Sequence, residues 1–279
     1  MRIATVGKGG SGKTTLAGTL ARLLATDNRR VLAIDGDPNP NLAQTLGMST
    51  DQADAIPSIP SSIMEVRKAE DGTGYLSMTM SQDELLGKYA GHGPDGIALI
   101  VMGQPAPGSA GSGCMCGSHR AVRGLISEMS GYGEYTVTDM EAGLEHLKRG
   151  TARNVDVMLI VAEPYYRSLE AAGRTWALAN ELGIAHVHVV ANKVKDDNDL
   201  AAIEAFCAKH GMPIIGVVND EPAFAQAERS AQAPIDHAPD CAGIASIRAI
   251  ARKLEGLSMR DAGIPHAPET GVAPAPPAS

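Results

Sequence analysis

The amino-acid sequence predicts an α/β fold, a mostly parallel sheet of about seven or eight strands flanked by helices. Three observations predict it. Short apolar runs alternate with helical patterns along most of the 279 residues. Several of these runs are hydrophobic without alternation, as strands buried on both faces require. Aromatic residues make up only 3% of the chain while glycine reaches 31 residues, so the core is aliphatic and its connections are glycine-rich.

The predicted strands cover 2–6, 30–35, 96–102, 135–139, 155–162, 185–192 and 213–218. Between them, helical periodicity covers 14–25, 121–129, 169–182, 198–210, 222–230 and 242–254. The first helix sets Leu16, Leu20, Leu23 and Leu24 on one stripe. The βα alternation predicts right-handed crossovers between parallel neighbours. The stretch 49–92 is polar and weakly patterned, with one or two short helices expected, such as 81–89. Residues 1–260 are read as one domain. Residues 261–279, with Pro265, Pro268, Pro274, Pro276 and Pro277 among Ala, Gly and Ser, are expected to form a disordered tail.

The chain carries 24 basic and 32 acidic residues, a net charge of −8. A general nucleic-acid binder needs a basic face for phosphates, so no nucleic-acid partner is expected. No apolar run reaches the ~18 residues of a membrane span, and no membrane partner is expected. The first residues run directly into glycines and lysines without an apolar leader core. Four cysteines are too few for a disulfide scaffold. A cytoplasmic setting is the expectation.

Gly7-Lys8-Gly9-Gly10-Ser11-Gly12-Lys13-Thr14 matches G-x-x-x-x-G-K-[ST], after a strand and at the start of a helix. Glycines allow the backbone to turn its N–H groups around phosphates, and the helix start adds partial positive charge. Gly9, Gly10, Ser11, Gly12, Lys13, Thr14 and Thr15 are therefore the expected nucleotide contacts. Lys13 is the catalytic cation for the β- and γ-phosphates, and the Thr14 hydroxyl a ligand of Mg2+. Residues 135–139 form a strand ending in Asp139, the second Mg2+ ligand. A glycine-containing segment follows, at Met140-Glu141-Ala142-Gly143-Leu144-Glu145-His146, where a nucleotide-dependent switch belongs. The fold is thus a P-loop NTPase. Asn192-Lys193 closes another strand, and the acid of the guanine motif N-K-x-D is replaced by Lys195. ATP is expected over GTP.

Lys8, the second lysine of the loop, resembles the signature lysine of the deviant Walker A ATPases, which include the nitrogenase iron protein and the Min and Par ATPases. The resemblance implies that Lys8 crosses a homodimer interface to the partner's nucleotide, as an arginine finger does. It also implies that Asp37 in Asp35-Gly36-Asp37-Pro38 orients the attacking water, and that Asn192 reads the base beside Lys193. Asn41 departs from the iron-protein pattern, which has an aspartate there.

Gly113-Cys114-Met115-Cys116-Gly117 lies in a Gly-rich loop. In extended backbone, residues two apart point to one side, so Cys114 and Cys116 can chelate one metal. Two thiolates are half a tetrahedral site, and a two-fold dimer supplies the other half. The ion is Zn2+ or a soft-ligated Ni2+; a redox disulfide, free thiols and a bridging iron–sulfur cluster stay open. His119 could add a ligand. Cys207 and Cys241 fall in Ala-rich helices and read as core.

Taken together, the signature-lysine loop, Asp-Gly-Asp-Pro, Cys-Met-Cys and Asp-Met-Glu-Ala-Gly-Leu-Glu-His resemble the CooC-type ATPases over residues 1–256. That resemblance implies an ATP-closed homodimer that delivers a metal, nickel above all, to a client metalloenzyme such as carbon monoxide dehydrogenase. Alternatives are a ParA/MinD-like positioning ATPase and an iron–sulfur electron-donor ATPase.

Overall fold

The computed structural model describes residues 1–68, 74–102, 116–129, 131–143 and 154–261. Its main sheet has eight strands: β1 (Arg2–Gly7), β2 (Val31–Gly36), β5 (Gly91–His92), β6 (Ala98–Val101), β7 (Tyr135–Met140), β8 (Val157–Ala162), β9 (His186–Val194) and β10 (Ile214–Asn219). The order is β10-β9-β8-β1-β7-β2-β6-β5. Only the β5–β6 pairing is antiparallel, so the C-terminal ends of seven strands share one edge. Ligands bind at that edge in such sheets.

All seven predicted strands are present, with ends moved by one or two residues. Their apolar runs have the predicted cause. Alternate side chains of each strand enter separate cores, one on each face. In β8, Met158 and Ile160 point to one core and Val157, Leu159 and Val161 to the other. The first core is closed by α4 (Gln82–Tyr89), α5 (Cys116–Glu128), α6 (Tyr166–Glu181) and α7 (Asp197–His210). The second is closed by α1 (Lys13–Leu24), α2 (Leu42–Leu46) and α10 (Ala242–Asp261).

Three sequence expectations are corrected or extended. The stretch 49–92 holds more than the one or two short helices expected. Besides α4, which starts from a Ser81–Glu84 capping box, it contains α3 (Thr50–Asp54) and an antiparallel hairpin of β3 (Met64–Lys68) and β4 (Gly74–Met78). Strand β3 buries only Met64, so no period-two pattern marks it. Helix α10 runs to Asp261, beyond the 254 expected from periodicity and just past residue 260. The rest of the expected tail, 262–279, lies outside the described residues. After β10 comes the expected helix α8 (Pro222–Arg229), and a further short helix, α9 (Pro234–His237), follows it. Among the described residues no helix is long and apolar enough to cross a membrane.

Candidate functional site

The phosphate loop begins where β1 stops. Gly7 has φ +155°, and a Cβ there would lie 2.6 Å from the Val161 carbonyl of the neighbouring strand. Gly12 closes the loop at φ +93°, with a would-be Cβ 2.4 Å from Asn192 Nδ2. Within the loop, Ser11 N–H donates to the Lys8 carbonyl at 3.1 Å. The Ser11 hydroxyl is fully buried and has no hydrogen-bond partner among the described residues. Lys13 is 7% exposed and curls back so that Nζ donates to the Lys8 carbonyl at 3.4 Å. Lys8, Gly9 and Gly10 are exposed.

Helix α1 brings Thr14 to the end of β7. Thr14 Oγ1 donates to Asp139 Oδ2 at 2.5 Å, and Thr5 Oγ1 donates to Oδ1 at 3.1 Å. Burial pushes the Asp139 carboxyl up to about 6, against the opposing pull of Thr14, Lys13 and Thr5. A hydroxyl and a carboxylate held together at a phosphate loop are hard oxygen donors, which suits Mg2+. The donor set fits that ion. The segment after β7 also flanks the loop: a Cβ on Gly9 would sit 3.8 Å from that of Ala142.

Beside Asp139, Asp35 stands one residue before the end of β2. Its carboxylate accepts N–H bonds from Asp37, Asn41 and Leu42 at 3.1, 2.9 and 2.8 Å. Burial pushes this carboxyl up to about 7, Asp139 adds to the rise, and the backbone donors oppose it. Asp37 is half-buried, and its Oδ1 accepts the Asn39 N–H at 2.8 Å.

Asn192 and Lys193 reach the loop from β9. Asn192 Nδ2 donates to the Ser11 carbonyl at 2.7 Å. Lys193 Nζ donates to the Gly10 carbonyl at 2.5 Å and pairs with Glu163 Oε1 at 3.0 Å. Its backbone takes φ +57°, a left-handed conformation unusual for lysine. Both side chains thus tether the phosphate loop to β8 and β9.

A cleft of about 610 Å³ opens from Gly10, Gly12, Lys13, Thr14 and Thr15, past Asn41 and Thr45, to Asn192, Lys193, Asp220 and Phe224. That volume suits a small-molecule ligand. Lys8, Asp37 and Asp139 are not in its lining. Sequence reasoning passed over three contributors: Asp35, Glu163 and the 218–224 wall. An acid ending an apolar strand was the available signal for Asp35 and Glu163. Nothing in the local sequence marks 218–224.

The thiol site falls differently. Cys114 and His146 lie outside the described residues, as do the side chains of Cys116 and His119; Cys116 is the first residue of α5. Among the described residues no group of three or more His, Cys, Asp and Glu could hold a metal ion. Cys207 is buried in the core, and burial pushes its thiol up to about 11. Cys241 is half-buried.

Comparison with known proteins is consistent with this geometry. Residues 3–235 match the model of the CobQ/CobB/MinD/ParA nucleotide binding domain. The chain is 36% identical over 249 residues to the carbon monoxide dehydrogenase accessory protein CooC of Rhodospirillum rubrum, covering 86% of this chain and 92% of that one. It is 38% identical over 226 residues to an uncharacterized ATP-binding protein of Methanocaldococcus jannaschii, covering 78% and 84%. Among solved structures, the septum site-determining protein MinD of Pyrococcus horikoshii, complexed with Mg-ADP, matches with a TM-score of 0.67. That match is at 19% identity and covers 94% of this chain and 99% of that one. It reproduces the P-loop NTPase sheet. The chain therefore belongs to the CobQ/CobB/MinD/ParA nucleotide-binding family, in its CooC-type branch, and is an ATP-binding P-loop ATPase.

Proposed function

We propose that this ATPase is a metallochaperone that dimerises on ATP and delivers a metal, nickel above all, to a client such as carbon monoxide dehydrogenase. One observation carries the reading: the 36% identity over 249 residues to a carbon monoxide dehydrogenase accessory protein. The MinD structure, at 19%, shares only the fold.

In this reading ATP lies in the cleft with its base end toward Asn192 and 218–224 and its phosphates in the 7–14 loop. Lys13 neutralises the β- and γ-phosphates, and Thr14 and Asp139 would hold Mg2+, which would spread the charge of the phosphates. Asp37 orients a water molecule on the γ-phosphorus. Attack forms the new P–O bond and breaks the bond to the β,γ-bridging oxygen, releasing ADP and inorganic phosphate. Lys8 of each subunit reaches the partner's nucleotide, an arginine-finger role worth about 10³–10⁵ in rate. Cys114 and Cys116 of two chains supply four thiolates for one Ni2+ or Zn2+ cargo ion. Coupling is reciprocal: if ATP favours the metal-holding dimer, metal tightens ATP binding by the same factor.

Elemental analysis of untagged protein, with and without ATP, tests the cargo. One ion per dimer, lost in the Cys114→Ala/Cys116→Ala double variant, is expected; unchanged stoichiometry rejects the cargo site. Hydrolysis that persists in Lys13→Ala rejects the assignment of the phosphate loop. A visible charge-transfer band lost with the same cysteines turns the assignment to an iron–sulfur cluster.

A further inference from the structure

We propose that Asp35 is a positioning residue for ATP hydrolysis, the peg on which the 37–41 loop that carries Asp37 is hung. The inference rests on the reading of Asp37 as the water-orienting group.

The argument begins with an unusual burial. Asp35 is 0% exposed, and among the described residues its carboxylate has no cationic partner. Its nearest charged neighbours are acids, Asp139 on β7 and Asp37 on its own loop. A buried, unpaired carboxylate is costly, and it is retained only where hydrogen bonds satisfy it. Here those bonds come from main-chain N–H groups at both ends of one short segment. Oδ1 takes the Asp37 N–H, and Oδ2 takes those of Asn41 and Leu42. One rigid side chain at the end of a central strand thereby closes the loop on itself.

Nothing else on the loop does this work. Asn41 begins α2 without a side-chain cap, its Nδ2 being turned to the Asn39 carbonyl. The Asp35 carbonyl is engaged as well, accepting the Met102 N–H at 2.9 Å and docking the end of β6 against β2. The strand end is therefore fixed, and so is the origin of the peg. The far side of the loop reaches the cleft through Asn41. Three donors divided between two acceptor oxygens also explain why an acid stands here. Asparagine offers one acceptor oxygen, and its amide N–H groups would face the loop's own donors.

Asp35 thus sets where the Asp37 backbone begins, and a displacement of about 1 Å at a catalytic group costs on the order of 100-fold in rate. A packing role predicts a different signature from a positioning role. Asp35→Asn should lower kcat about 10–100-fold while the affinity for a fluorescent ATP analogue stays within about threefold. Asp37→Asn run alongside should be inactive. If Asp35→Asn merely melts earlier but turns over at the wild-type rate per nucleotide-binding site, Asp35 is a packing residue and the inference fails. If Asp37→Asn hydrolyses ATP normally, the premise about Asp37 fails and the inference with it. Should Asp35→Asn not fold, amide exchange of the wild-type protein decides. Slow exchange at Asp37, Asn41 and Leu42 is expected, and exchange at the rate of open loop amides overturns the proposal.

Discussion

Gly12 occupies the tightest point of the phosphate loop. Its φ of +93° and the Asn192 amide 2.4 Å from a would-be Cβ oppose any side chain. Asn192 cannot withdraw without giving up its bond to the Ser11 carbonyl. Gly12→Ala should therefore weaken ATP binding at least about tenfold, roughly the 1–2 kcal/mol of a left-handed alanine, with the circular dichroism of the fold retained. Titration with a fluorescent ATP analogue checks this. Asp156 illustrates the opposite case, a group away from the chemistry that holds the strand beneath it. Burial alone would raise its carboxyl, but the Arg2 guanidinium, at 2.8 Å, and the Arg2 N–H, at 2.7 Å, more than offset this and leave it below the ordinary carboxylate range. Its folded pKa is thus depressed. The stability it contributes is present above the unfolded value and is lost as pH falls through the folded one. Asp156→Asn should lower the melting temperature at pH 7, and the gap from wild type should close in acid, as pH falls below the ordinary carboxylate range.

Among the elements, α1 does most to join the parts of the site. Its first turn holds phosphate-loop residues, and its buried Arg22, 8% exposed, ties down its far half. Arg22 donates to the Leu46 carbonyl at the end of α2, to Asp95, and through two nitrogens to Asp236 in α9, at 2.9 and 2.8 Å. Asp95 and Asp236 are nearly half-exposed, so without Arg22 they stay solvated. The expected cost of Arg22→Ala is about 2–3 kcal/mol, the range of a charged hydrogen bond and short of a fully buried pair. For a chain this size that lowers Tm by roughly 5–10 °C. None of the hydrogen-bond partners Leu46, Asp95 and Asp236 lines the cleft, so kcat and KM of the folded variant should match wild type; a changed KM with unchanged Tm would refute this account.

At the scale of the molecule, parallel strands put the groups assigned to the site at one edge: the loop after β1, Asp35 on β2 and Asp37 after it, Asp139 on β7, Glu163 after β8, Asn192 and Lys193 on β9. Lys8 stands exposed there while Lys13 is buried. Two lysines five residues apart are thus divided between solvent and the chain's own loop, as the proposed role of Lys8 at a partner's nucleotide requires. With ATP and Mg2+ the sedimentation coefficient should rise from monomer to dimer. Lys8→Ala should keep ATP affinity while losing about 10³ in turnover. A monomer hydrolysing ATP at the full wild-type rate excludes the trans role of Lys8.

How much of this could be read in advance follows from the range of the forces involved. The seven strands, the faces they bury and the residues of the phosphate loop were legible because they depend on local stereochemistry and periodicity, on glycine at positive φ and on apolar runs between turns. Asp139 was legible because an acid ending such a run is itself a local mark. The hairpin β3–β4 was not, since it buries one residue of its first strand. Nor was the tether of Lys193 to Gly10 and Glu163, or the clasp of Arg22 on Asp236 across 214 positions. Local pattern states which side of a strand is buried and is silent on which strand lies beside it. That β1 sits between β8 and β7 is decided by how the crossover helices pack. Only that packing brings Thr14 to Asp139 and sets Asp35 next to it.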